Sequence, residues 1–237
     1  MRLLARLSWV FALLVFSIAG CNEVTAPTTA PVTFTVLTYY LQSGFDQPRV
    51  EGVEICQTDT PKCELTDERG EATLQLPFDQ EISCTLEKEG YAPGLYMNVI
   101  PATGLDSLFG LAPDQSATEF FEDLMSPYPM RDTGTILIFV NPPRAGVTFD
   151  LVDATGPAFY MDEEWNARLD LAATTTPAGW GGFIEVGPGR VRHINFGGLG
   201  EDCAVGWGWP DDDKNSFRMP VREGYTSIAS VLCPPPL

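Results

Sequence analysis

Few side chains in this chain could perform acid–base or nucleophilic chemistry. His193 is the only histidine, and a nucleophile activated by an imidazole would have to use it. Strand alternation places His193 on the opposite face from Ile194 and Phe196, and the sequence contains no G-x-S-x-G motif. We therefore interpret His193 as a surface residue, and we expect no catalytic residues and no enzyme activity.

Metal binding has weak support in the sequence. One histidine and oxidised cysteines cannot supply a zinc site, so we expect no metal and no other cofactor. The acidic runs Asp162-Glu163-Glu164 and Asp211-Asp212-Asp213 offer the oxygen ligands that calcium prefers. Neither run has the D-x-D-x-D-G spacing that wraps an ion, so we interpret both as solvated turns, with calcium as the alternative.

The tryptophans give a better indication of function. Trp207 and Trp209 are two residues apart, so in an extended segment both rings would face the same side. Together with Trp180 and Tyr160 on other loops, they are candidates for stacking on sugar rings. The favoured interpretation is structural, because a glycine-flanked tryptophan beside a disulfide plugs the edge of a thin core.

The first residues predict export. Arg2 and Arg6 precede a short apolar run over 9–16, and small residues lead to Cys21. This order of segments is typical of a signal peptide. The apolar run is too short to span a bilayer permanently. The order is similar to the lipobox of bacterial lipoproteins, which implies that Cys21 is acylated and becomes the mature N-terminus. An ordinary cleaved signal with Cys21 as a spare thiol, or an uncleaved anchor, is the alternative.

Charge and the residue after Cys21 narrow the location and the partners. Asn22 stands where an aspartate would favour the inner membrane in lipoprotein sorting, so we expect an outer-membrane protein that faces the periplasm or the exterior. The formal net charge of −18 repels phosphate backbones and anionic headgroups. Nucleic acid is therefore excluded as a partner. The expected partners are the membrane, bound through the lipid on Cys21, and an envelope protein or a glycan. We interpret the acidic surface as a source of solubility, with binding of a basic partner as the alternative.

The remaining cysteines predict two disulfides, because the leader directs the chain to an oxidising compartment. Cys56 and Cys63 flank a short loop and should pair across a hairpin. Cys203 and Cys233 should pair and hold an inserted segment to the C-terminal strand. Cys84 is then a buried, inert thiol. A bridge between Cys56 and Cys84, with Cys63 free, is the alternative.

An internal repeat follows a Thr/Pro/Ala tether. Both copies contain, in the same order, an opening β-branched strand, a Gly-Val strand, a T-x-x-x-G hairpin, an alternating strand and an E-G-Y turn. These features lie at 33–40 and 135–140, 48–55 and 143–149, 66–74 and 175–183, 82–86 and 192–196, and 88–91 and 222–225.

This order of strands and turns resembles the carboxypeptidase regulatory-like domain. The resemblance implies a transthyretin-like Greek-key β-sandwich, grouped with carbohydrate-binding-like folds, that has no catalytic residues. Residues 32–100 match well. Residues 134–233 match more loosely, because 155–173 and 197–218 are insertions that the compact domain lacks; we call them the first and the second insertion.

We therefore predict an all-β protein of two tandem Greek-key β-sandwich domains. The expected segments are a signal peptide (1–20), a tether (21–31), a first sandwich (32–100), a helical linker (101–133) and a second sandwich (134–237). A capping box at Ser116 and Glu119 predicts a helix over 116–125, packed as a wedge between the sandwiches or, alternatively, bound to a partner.

The predicted function is that of a non-catalytic, membrane-anchored surface lipoprotein that acts as a structural, presentation or binding module. The alternative is a carbohydrate-binding surface lipoprotein that uses exposed tryptophans.

Overall fold

The computed structural model describes residues 28–39, 48–176 and 178–235. The N-terminal half contains β1 (Thr29–Thr38), β2 (Glu54–Gln57), β3 (Cys63–Leu65), β4 (Glu71–Pro77), β5 (Glu81–Glu87), β6 (Gly94–Val99), β7 (Leu105–Leu111) and the helix α1 (Asp114–Asp123). The C-terminal half contains β8 (Gly134–Asn141), β9 (Val147–Leu151), β10 (Ala158–Met161), β11 (Ala167–Arg168), β12 (Trp180–Val186), β13 (Gly189–Gly198), β14 (Ala204–Trp207), β15 (Trp209–Pro210), β16 (Ser216–Val221) and β17 (Thr226–Leu232). The all-β prediction is confirmed.

The strands form because apolar and polar residues alternate along them. In β1, Val32, Phe34 and Val36 are fully buried, whereas the threonines between them face away from the core. A two-residue period is what a sheet with one buried face requires. Strand β1 begins at Thr29, so the last three residues of the predicted tether belong to the sheet.

The two halves repeat one strand order. In the first unit (β1–β7), β1 lies between antiparallel β4 and parallel β7, and a second sheet has the order β6-β5-β2-β3. In the second unit (β8–β17), β8 lies between antiparallel β12 and parallel β17, and the facing sheet contains β16-β13-β9. The predicted pair of tandem sandwiches is therefore confirmed, and the repeat in the sequence corresponds to a repeat in topology.

One proposed correspondence between the copies is wrong. The turn Lys88–Tyr91 connects β5 to β6, whereas Arg222–Tyr225 connects β16 to β17. Because β16 is the counterpart of β6, the two E-G-Y turns occupy different places in the repeat. They look alike because both place a glycine at positive φ, Gly90 at 84° and Gly224 at 78°, and turns select such residues wherever they occur.

Sequence reasoning also missed a strand and misplaced the helix start. Strand β7 lies inside the predicted linker 101–133, yet it completes the small sheet beside β1. Helix α1 is confirmed but begins at Asp114 after Pro113, which makes no side-chain capping bond. The predicted capping box at Ser116 is therefore wrong, because proline already fixes the φ angle that the chain needs to enter the helix. The domain boundaries themselves stay a prediction.

The two sandwiches share one sheet. Strand β17 pairs in parallel with β6, with Thr226 opposite Gly94, and this joins strands of both units into a ten-stranded sheet. One face of this sheet packs against the three-stranded sheet and α1, which supplies Phe120 and Phe121. The other face packs against the four-stranded sheet. Helix α1 therefore packs against one face of the shared sheet, whereas the prediction was a wedge between two separate sandwiches.

The cysteine pairing is confirmed. Disulfides join Cys56 to Cys63 and Cys203 to Cys233, and Cys84 is free and buried. Burial raises the pKa of the Cys84 thiol to about 12, so it stays protonated and inert near neutral pH. The alternative bridge to Cys84 is excluded. Cys21, the predicted leader and most of the tether lie outside the described residues.

No helix in the described part of the chain is long and apolar enough to cross a membrane.

Candidate functional site

The predicted Trp207–Trp209 pair is separated in the structure. Gly208 lies between the two tryptophans with φ of 133°, so the segment is not a continuous extended strand. Trp207 ends β14 and packs against the core that contains the helix, whereas Trp209 begins β15 and is buried in the opposite core. The expectation that both rings face the same side is wrong, because a glycine at positive φ reverses the alternation.

Trp209 fills a gap between the two units. Its indole Nε1 donates to the backbone oxygen of Ile82 at 3.0 Å, which ties the second insertion to β5 of the first unit. Only 7% of Trp209 is exposed. These contacts match the structural interpretation of this residue as a plug of a thin core.

Trp180 and Tyr160 are also buried, on opposite faces of the ten-stranded sheet. The Tyr160 hydroxyl accepts from the backbone nitrogen of Phe149 at 2.9 Å. The Trp180 ring is stacked between Phe139 and Phe120, at centroid distances of 5.3 and 6.1 Å. Neither residue offers a free ring face, so of the four candidates only Trp207 presents a partly exposed ring.

A pocket of about 510 Å³ lies where the edge strand β7 meets the ten-stranded sheet. We call it the aromatic pocket, because Tyr39, Phe139, Trp165, Trp180 and Trp207 line it, with Leu108 and Leu232 half-exposed beside them. Its volume is within the range of small-molecule sites. Two of the predicted sugar-binding residues, Trp180 and Trp207, meet here, and the other two do not.

Trp165 is a site residue that the sequence analysis missed. It lies in the first insertion, on the turn between β10 and β11, and its φ of 69° is in the left-handed region. Bulky side chains rarely adopt that conformation, which persists only where the surroundings enforce it. A tryptophan inside the polar run D-E-E-W-N was the available signal, because nothing in such a turn buries an indole ring.

Asp162 enforces the turn that carries Trp165. Its Oδ1 accepts from the backbone nitrogens of Glu164 at 3.0 Å and Asn166 at 2.8 Å. Burial alone would raise the pKa of Asp162, but the hydrogen bonds from Asn166 and Glu164 and the charge of Arg168 outweigh it, so the pKa is below its ordinary value. In the described structure this acidic run therefore shapes a turn.

Both insertions deliver a tryptophan to the same pocket. Trp165 comes from the first insertion and Trp207 from the second. The backbone nitrogen of Trp207 donates to Ser230 Oγ at 2.9 Å, and its ring meets the edge of Tyr96 at 6.2 Å. The segments that the second unit adds to the compact sandwich thus supply two of the aromatic residues of the pocket, and the strands of both units supply most of the rest.

The pocket lining contains no charged side chain among the described residues. Burial raises the pKa of Tyr39 above its ordinary value, so its hydroxyl is a weak acid there. Neither a general base nor an activated nucleophile is available in this lining. What the pocket offers is aromatic surface.

The acidic run at 211–213 belongs to a polar network between the units. Asp211 Oδ2 lies 2.9 Å from His193 Nδ1, and its Oδ1 lies 3.6 Å from Arg218 Nε. Arg218 also pairs with Glu81 of the first unit. The hydrogen bond from His193, the backbone N–H of Asp212 and the charges of His193 and Arg218 together lower the pKa of Asp211.

We expect Asp211→Asn to lower stability at neutral pH by no more than about 1 kcal/mol, because the group is close to solvent. A lowered pKa in the folded state means that the carboxylate stabilises the fold above its ordinary pKa of 3.8 and loses that effect as the pH falls through the folded value. Urea unfolding at pH 7 and at acid pH should show the difference shrinking. Asp212→Asn is the matched control, and a difference that does not vary with pH would contradict the expectation.

Glu54, Cys56 and Cys63 form the one cluster of potential metal ligands in the described ranges. Both thiols are joined in a disulfide, so the Glu54 carboxylate is the one donor of this cluster that could still bind an ion.

No protein family and no curated protein matches the chain. Similar solved structures include shaft pilin SpaA of Lactobacillus rhamnosus GG, with 11% identity, a TM-score of 0.27 and coverage of 89% of this chain and 100% of that one. The Bacillus anthracis TIE protein has 11% identity and a TM-score of 0.27, over 86% of this chain and 33% of that one. A minor pilin of Streptococcus agalactiae has 12% identity and a TM-score of 0.26, over 88% and 98%. Likeness at this level carries no argument about function.

Proposed function

We propose that this chain is a non-catalytic, lipid-anchored surface lipoprotein whose two fused sandwiches carry a binding pocket. The aromatic pocket carries the proposal, because each insertion adds a tryptophan to it and its lining contains no charged side chain among the described residues. An aromatic concave site with few polar groups is typical of small-molecule recognition.

The shared sheet supports a role in presentation. Pairing of β6 with β17 and the common cores make the two sandwiches a continuous body. The first strand begins at Thr29, eight residues after Cys21, so an acyl group on Cys21 would hold this body close to a bilayer. The chain's resemblance to carboxypeptidase regulatory-like domains is part of this proposal, as are the signal peptide and the outer-membrane location.

The anchor predicts an all-or-none result for Cys21→Ser. Cells that express the full chain with radiolabelled palmitate should label the parent protein and leave this variant unlabelled and released from the membrane fraction, because stable anchoring needs more than one acyl chain. Cys84→Ala is the matched control, since it removes another thiol and should keep the label. A parent chain without acyl groups would exclude the lipoprotein proposal.

Carbohydrate binding is the second candidate function. The partly exposed rings of Trp165 and Trp207 at one pocket favour it, since sugars stack on such faces. Glycan-array binding by the parent chain that disappears in Trp207→Ala and persists in Trp209→Phe would establish it.

A further inference from the structure

We propose that the aromatic pocket binds an organic cation, of the alkylated-ammonium class, between Trp165 and Trp207. This inference rests on the proposed binding function and adds the ligand class. Aromatic faces attract cations through the negative face of the ring, with tryptophan the most effective. The pocket gathers three partly exposed rings, Phe139, Trp165 and Trp207.

Charge complementarity selects a cation over an anion or a neutral ring. The chain carries a formal net charge of −18, and such a potential raises the local concentration of cations and repels anions. Glu163 and Glu164 are exposed and directly precede Trp165, so negative charge accompanies that side of the pocket. Within the described ranges, Arg144 is the only basic residue adjacent in sequence to a lining residue, and Asp202 pairs with it at 2.6 Å. Arg168, three residues after Trp165, pairs with Asp170 at 2.9 Å and lies 3.9 Å from Asp162.

The lining also explains why the cation should carry alkyl groups. A small ammonium ion holds its water tightly and would need several oxygen ligands to replace that water. In the lining, rings and aliphatic side chains outnumber the polar side chains, which are those of Tyr39, Asn141 and Ser230. Alkylation spreads the charge over methyl groups that can pack against Trp207 and Leu232. Aromatic sites of this composition suit quaternary ammonium groups.

The site is arranged before any ligand arrives. Trp165 is held at a φ of 69° by the turn around Asp162, and Trp207 is fixed through Ser230. Fixing the backbone at both tryptophans before binding reduces the entropy that binding would otherwise cost. The left-handed conformation of Trp165 is thereby assigned a role.

Choline and its uncharged isostere 3,3-dimethyl-1-butanol provide a matched pair of probes. Calorimetric titration of the parent protein should show choline binding about tenfold more tightly than the isostere, the difference that a desolvated cation–aromatic contact supplies. Added salt should weaken choline binding, because it screens the field of the protein. Equal affinities for the two probes, or no heat with choline, would overturn the cation assignment.

Variants locate the binding site. Trp165→Ala and Trp207→Ala should each weaken choline binding about tenfold, and Trp165→Phe should restore part of it. Trp209→Phe, outside the pocket, should bind like the parent, and thermal unfolding should show that each variant is folded. The double variant with Glu163→Gln and Glu164→Gln should bind choline more weakly and bind the isostere with unchanged affinity. If both alanine variants bind choline with the affinity of the parent, the proposal is wrong.

These results are separable from the proposed function. Acylation of Cys21 is measured by label incorporation and does not depend on the pocket. If the protein is acylated and binds a glycan, or binds the neutral isostere with the same affinity as choline, the proposed binding function stands and the assignment of a cation as ligand is wrong.

Discussion

Gly182→Ala is expected to destabilise the protein by about 3 kcal/mol or more, the upper range for an inserted group in a packed interior. Gly182 lies on β12, opposite Leu137 of β8, in the middle of the shared sheet. A methyl group there would lie 1.8 Å from the backbone oxygen of Ile136. Backbone on both strands would have to separate, and the ladder between β8 and β12 would be lost with it. Urea unfolding followed by tryptophan fluorescence measures the effect.

Gly187→Ala is the control for this prediction. It is five residues along the chain, and a methyl group there would meet nothing closer than Arg192 Nη2 at 3.9 Å. We expect its unfolding free energy to stay within about 0.5 kcal/mol of the parent, as for most surface changes. If the two variants unfold at the same urea concentration, the close approach of β8 and β12 is not what restricts position 182 to glycine.

Because the two units share a sheet, a substitution that unfolds one unit should also unfold the other. Leu137 and Ile228 of the second unit contribute to the same core as Phe34 and Leu86 of the first. Leu95 and Met97 of the first unit contribute to the core of the second. Because each core contains residues of both units, we expect a single unfolding transition.

Local features were predicted well from the sequence. The opening strands, the positive φ of the turn glycines Gly70 and Gly179 and the Cys56–Cys63 bridge depend on residues a few positions apart, and the structure contains them. The predicted T-x-x-x-G hairpins are wrong, because neither β3 and β4 nor β11 and β12 pair with each other. The longer Cys203–Cys233 bridge was also predictable, because it followed from the repeat once the inserted segment was recognised.

Contacts between distant strands left no comparable signal. Nothing in the residues of β6 or β17 distinguishes a pairing between units from an ordinary edge, so the shared sheet could not be foreseen. The pocket depends on that sheet, and Trp165 reaches it from a polar turn where no periodicity applies. The prediction that Trp207 and Trp209 face the same side, which assumed a regular strand, was wrong for a single local reason, the positive φ of Gly208.

Removing the long disulfide by Cys203→Ala with Cys233→Ala should lower the unfolding free energy by about 3.5 kcal/mol. The two cysteines are 30 residues apart, and in the chain-entropy model a longer closed loop restricts the unfolded state more. Cys56→Ala with Cys63→Ala opens a loop with a separation of 7, for which the same relation gives about 2.5 kcal/mol. Urea unfolding of both double variants compares them directly.

Arg144 joins the same segments as the Cys203–Cys233 disulfide, and comparing the two double variants shows how much it contributes to stability. Arg144 donates to the backbone oxygens of Leu199 and Pro234 and pairs with Asp202. If the long-loop variant loses no more stability than the short-loop variant, Arg144 already restrains the second insertion and loop length does not decide the loss. Adding Arg144→Met to the long-loop variant should then lower stability further and weaken choline binding, because Trp207 lies on the strand that follows Cys203.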